Sequence, residues 1–191
     1  VIGGLGIVLF LAFPARADIP PPPPSAAQLS TVAAQKLSLR NNAASLLAQL
    51  LDDEKGLHYV LLVKGHRAEL QQLVQKISDT AAAAARTLAD LAKADATLNL
   101  KAIELPPGEK ATRAAIQSTK EKDLLFSAGA NFEFNLLLMQ TDALSYAWHL
   151  AAIAADNASD PAEAKSFTTI SKSFEDLYDQ AVALMRAPPA K

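Results

Sequence analysis

Few side chains in this sequence combine the types and spacing that chemistry needs, and the first such pair is Glu54 and His58. Four positions apart on a helix, they project from nearly one face. Glu54 also falls in line with Leu47, Leu50, Leu57 and Leu61, so an acid interrupts an apolar seam. Inward carboxylates and histidines lodge metal in helical bundles, although a di-iron centre takes about six ligands, with Glu-x-x-His pairs on two helices. The chain has 3 histidines and no Glu-x-x-His, and His66-Arg67-Ala68-Glu69 runs in the reversed order at a helix start. Glu54, His58 and His149 are therefore the candidate metal ligands. The simpler reading makes Glu54 a hydrogen-bonded buried acid, or an acid turned to solvent by a small rotation of the face.

A second group, Asp142, Tyr146 and His149, shares one line of a later helix beside Trp148. It reads as a ligand-contact strip or, with Met139 or Met185, as an axial haem ligand set; a lone His on an apolar helix is more often structural. Glu175, Asp176 and Asp179 lie off the seam of the last helix and read as a solvated face, with a weak divalent-cation patch as the alternative. Ser and His are too few and too scattered to name a nucleophile and base, and no G-x-S-x-G or phosphate-cradling glycine loop occurs. The expectation is a non-enzymatic chain with no cofactor.

The elements that carry these residues are helices. Ser25 to Leu37 predicts a short helix, separate from or fused to a long one near Leu39–Lys64 that stops at Gly65. The second runs near His66–Ala96, with Leu70, Leu73, Ile77, Ala81, Ala84, Leu88 and Leu91 at three- and four-residue spacing. Its Ala81–Ala85 run presents small side chains, so a neighbour can approach closely. Pro106-Pro107-Gly108 breaks the pattern, and a shorter helix follows near Glu109–Phe126. The helix near Asn131–Asn157 is apolar almost all round and should be the most buried. Asp160-Pro161-Ala162-Glu163 is a helix start, with an Asp cap, Pro at N1 and an acid at N3. Phe167, Ile170, Phe174, Leu177, Ala181 and Leu184 then form a clean seam. The pattern predicts an all-α antiparallel four-helix bundle with an extra short helix before the third long one.

Composition agrees, and bounds the partners. In 191 residues, 50% are apolar and 20% charged, with only 7 Gly, which suits one globular helical domain. The net charge of −2 leaves no basic stripe for nucleic acid. Without cysteine there is no disulfide, thiolate metal site or covalent haem attachment. Val1 to Phe13 is an apolar run ending in Ala15-Arg16-Ala17, an Ala-x-Ala cleavage signature. As a helix that run rises only ~20 Å, short of the ~30 Å hydrocarbon core. Residues 1–17 therefore read as an N-terminally truncated signal peptide, with retention as an anchor the alternative. Pro20 to Pro24 then form a stiff polyproline spacer, so residues 18–38 are a linker with a short helix and 39–187 the bundle. The expected location is the periplasm or exterior of a bacterial envelope.

Two stretches carry a family likeness. Glu69-Leu70-Gln71-Gln72-Leu73-Val74-Gln75-Lys76-Ile77-Ser78-Asp79-Thr80 resembles the second-helix segment of the domain-of-unknown-function 4142 family, exported ferritin-like bundles. Ala128-Gly129-Ala130-Asn131-Phe132-Glu133 resembles that family's Gly-x-x-Phe-Asp junction before the next long helix. The likeness spans roughly residues 42–186 and implies a ferritin-like fold and an exported address. Thr80 stands where the family has His, and the later histidines are absent, so no site residue carries over. The leading expectation is an interaction or stress-related bundle whose surface binds a protein or envelope component. A ferritin-like metal-binding protein and a small-ligand sensor bundle are the alternatives, and the oligomeric state is left open.

Overall fold

The computed structural model describes residues 26–63 and 66–187. Among them the chain forms α1 (Ala26–Glu54), a 3-10 helix (Leu57–Val63), α2 (Ala68–Ala94), α3 (Pro107–Phe126), α4 (Gly129–Asp156) and α5 (Pro161–Arg186), with no strand. The signal segment, the proline run, Gly65 and the terminal Pro188-Pro189 lie outside the described residues. No helix among the described residues is long and apolar enough to cross a membrane.

Of the two expectations for the leading segment the fused one is found, and the expected C-terminal end of the first helix is corrected. The segment predicted as a short leading helix is continuous with α1, and α1 stops at Glu54 rather than near Lys64. Gly56 is a poor helix interior residue, and the backbone groups freed at the break find a partner on the next helix. The Ser78 hydroxyl of α2 donates to the Glu54 carbonyl at 3.1 Å and accepts the His58 N–H at 3.3 Å. Glu54 and His58 therefore do not share a helix face, and the i, i+4 geometry expected of them is absent. The other bounds move by at most two residues. Pro107 takes the N1 position of α3, and Gly129, the first residue of α4, adopts the left-handed backbone at φ 57°.

Side-chain ties give the helix directions. Arg40 of α1 reaches Asp95, just past the end of α2, at 2.9 Å and Glu163, in the first turn of α5, at 3.0 Å. At the opposite end Arg67, just before α2, pairs with Glu133 in the first turns of α4 at 3.0 Å. Its guanidinium also donates to the Leu184 carbonyl near the end of α5 at 2.9 Å. So α1 and α5 run one way and α2 and α4 the other. α4 packs most extensively on α5 and next on α1, while α2 packs on α1 and α5.

The apolar faces meet where periodicity placed them. Leu47 and Leu51 of α1, Leu70, Val74 and Ile77 of α2, Leu136 and Leu144 of α4, and Phe167 and Phe174 of α5 are fully buried. Each such side chain contributes roughly 1.5–3 kcal/mol on leaving water. α4 has the longest set of buried positions, as its composition predicts, yet Phe134 and Leu138 remain on its open side. Along α1 burial begins at Arg40, and residues 29–39 are exposed. At α5 the Asp160 carboxylate accepts from the Ala162 and Glu163 N–H groups, the cap expected of it.

Candidate ligand-binding site

α3 sits apart from this core. Leu124 is its single buried residue, while Ile116 and Phe126 are 51% and 88% exposed. Polar tethers hold it to α4. The Arg113 guanidinium lies 5.0 Å over the Tyr146 ring and donates to the Tyr146 hydroxyl at 2.5 Å, and Lys120 pairs with Asp142. Exposed pairs of this kind are each worth about 0–1 kcal/mol, so α3 is a lightly fastened cover over the groove between α1 and α4.

Beneath the cover the helices do not close. A cavity of about 430 Å³ lies between α1, α3 and α4, walled by Leu50, Leu57, Ile116, Met139 and Ala143. A second, of about 570 Å³, continues toward Ile103 and Leu105 of the α2–α3 connection. The two share Leu50, Asp53, Arg113, Gln117 and Tyr146, so they form one groove. Its size is ordinary for a small-molecule site, and its apolar side chains alternate with charged and amide groups, Asp53, Glu54, Arg113, Gln117, Lys120 and Glu121 among them.

Two of those polar groups are buried in the wall. Glu54 is 9% exposed and Gln140 3%. The Gln140 amide donates to the Glu54 carboxylate, which leaves Glu54 Oε2 and Gln140 Oε1 buried without a hydrogen-bond partner. An unpaired buried acceptor costs about 1–3 kcal/mol, so two side by side at a cavity are a local expense. Burial pushes the Glu54 carboxyl up to about 7; the Gln140 hydrogen bond works against the rise and the Asp53 charge adds to it. Asp53 is also raised, first by burial and then by the charges of Asp52 and Glu121. The site is short of positive charge.

Of the candidate metal ligands, Glu54 alone stands in this wall. His58 lies beyond the helix break, half-buried, with a buried Nδ1 that has no hydrogen-bond partner. His149 is exposed, its Nδ1 2.7 Å from the Ser145 carbonyl, in a shallow cleft with Asp142 and Tyr146. Among the described residues no three His, Asp or Glu side chains are grouped to hold a metal ion. The strip Asp142, Tyr146 and His149 lines that one cleft; Asp142 and Tyr146 also anchor α3, and His149 is exposed. Glu175 and Asp176 form an exposed fan around Lys172, at 3.3 Å each.

No family model, curated protein or solved structure matches this chain. The chemistry of the cavity must be read from its own side chains.

Sequence reasoning missed Gln140, Arg113 and the covering role of α3. A signal for Gln140 existed: it is an amide directly after the apolar run Leu136 to Met139 of α4. Arg113 and Lys120, seven positions apart on one helical face, were the signal for the tethers. Arg40 was missed as well, because its partners Asp95 and Glu163 lie 55 and 123 positions away.

Proposed function

We propose that this chain is an exported, non-catalytic helical bundle that takes a small molecule into the cavity between α1, α3 and α4. The observation that carries this reading is the pair of buried, unpartnered acceptors, Glu54 Oε2 and Gln140 Oε1, in the wall of a cavity that also presents Leu50, Leu57, Met139 and Ala143. The exported address rests on the signal-like Val1 to Ala17 segment. α1, α2, α4 and α5 are read as an antiparallel four-helix bundle. Its order is that of ferritin-like bundles, whose single long crossover joins two parallel helices. Supporting this, α3 carries the chain back from the end of α2 so that α4 starts beside Arg67 and runs with α2.

The test is native mass spectrometry of the protein purified from its own envelope extract, beside an Ala143→Phe variant that fills the cavity. A small-molecule mass addition on the wild type, lost in the variant, is expected. Absence of any addition, with no thermal shift across a panel of amphipathic small molecules, overturns the reading. A second reading, docking of an envelope protein, is favoured by exposed Phe126, Phe134 and Leu138 around the α3–α4 turn. Loss of a cross-linked partner in Phe126→Ser, with Ala143→Phe unaffected, distinguishes it.

A further inference from the structure

The two acceptors in the cavity wall specify what the ligand must bring. A carboxylate oxygen and an amide oxygen both require donors. A hydroxyl supplies one, a carboxylate none, and an ammonium group three. Charge points the same way. The wall holds Asp53, Glu54, Glu121 and Asp142 against Arg113 and Lys120. Both cations are engaged: Arg113 with Glu109 and Tyr146, and Lys120 with Asp142. Among the described residues no ion pair reaches Asp53, Glu54 or Glu121, and the groove's remaining cation, Lys110, lines the adjoining part. A positively charged ligand relieves that repulsion, whereas an anion adds to it.

We propose that the cavity takes a primary amine with an apolar body, its ammonium donating to Glu54 Oε2 and Gln140 Oε1 and its hydrocarbon lying along Leu50, Leu57, Ile116, Met139 and Ala143. This rests on the small-molecule reading above and adds the head-group class. At roughly 30 Å³ per water-sized group, the 430 Å³ volume holds a body of medium length rather than a single small amine. α3 acts as the door, since only Leu124 and its polar tethers fasten it. Affinity tracks ionisation of the Glu54 carboxyl, because a proton and the ligand's ammonium compete for the same carboxylate. The other titratable groups around it are Asp53 on α1, Glu121, Lys120 and Arg113 on α3, and Asp142 and Tyr146 on α4.

Calorimetry with octylamine, octan-1-ol and octanoate, which share one chain length, provides the test. Octylamine is expected to bind at pH 8 at least about tenfold more tightly than the other two. Binding should weaken by up to about 100-fold by pH 5, as Glu54 is held protonated. Glu54→Gln should lose at least about tenfold for octylamine while changing octan-1-ol little, and Ala143→Phe should abolish binding of all three. Thermal melts of both variants verify that they fold. If octan-1-ol or octanoate binds as tightly as octylamine, or if Glu54→Gln binds octylamine unchanged, the head-group inference is overturned and the cavity reading survives. If none of the three binds the wild type, the cavity reading falls with it.

Discussion

Replacing Glu54 by Gln should make the protein more stable, and by an amount that depends on pH in a defined direction. The carboxyl titrates near 4.5 when solvated and at about 7 in the fold, chiefly because burial opposes its charge. Below pH 4.5 it is protonated in folded and unfolded chains alike and adds no pH-linked penalty. Between pH 4.5 and 7 the unfolded chain releases a proton that the folded chain keeps, so stability falls as pH rises. Above 7 the deficit is complete. At ~1.4 kcal/mol per pH unit, the gap corresponds to about 3 kcal/mol. Gln keeps the shape and carries no charge. Glu54→Gln should therefore gain about 3 kcal/mol over the wild type at pH 8 relative to its difference at pH 4. For a domain of this size that is a relative rise in Tm of roughly 6–12 °C. Urea unfolding of both proteins at pH 4, 6 and 8 measures the difference directly, and titrations common to both cancel. Parallel stability curves across that range would refute the claim that Glu54 is held protonated by burial. An advantage that grew toward low pH would reverse the sign and refute the buried-acid geometry itself.

Other expectations follow from the packing. Phe174→Ala removes a fully buried ring from the α5 seam and should cost about 3–5 kcal/mol by urea unfolding; an unchanged melt would mean that the helix register is wrong. Arg40→Ala strands the buried Glu163 carboxylate, with a loss of about 3–5 kcal/mol, and Arg40→Met with Glu163→Leu should recover much of it. At Gly129 the space for a methyl is open but φ is 57°, so Gly129→Ala should cost about 1–2 kcal/mol through backbone strain alone. Hydrogen exchange should show α3 opening before α2, α4 and α5, and opening further in Arg113→Ala; equal protection of α3 and α5 would contradict the lightly held cover. Titration with iron or manganese should give no stoichiometric binding that both Glu54→Ala and His58→Ala remove, and such binding would favour the metal reading.

The helices were legible because their signals are local. Leu70 to Leu88 repeats with the period of a helix, so the buried face of α2 follows from spacing alone. Asp160 caps α5 because a short acid before Pro161 can reach only the next turn. Composition likewise predicts that α4 is the most buried element. These features require no knowledge of what lies opposite.

What lay opposite decided the rest. The same period continues through Leu57 and Leu61, so the sequence reads as one helix past Glu54; it ends there because Ser78, on another helix, accepts and donates at the break. Glu54 looked like half of a pair with His58, and its actual neighbour is Gln140, 86 positions on, brought beside it by the packing of α1 on α4. Periodicity within a helix determines which face is apolar. It does not determine the rotation and sliding of one helix against another, and those set which polar groups meet and which are left facing a cavity.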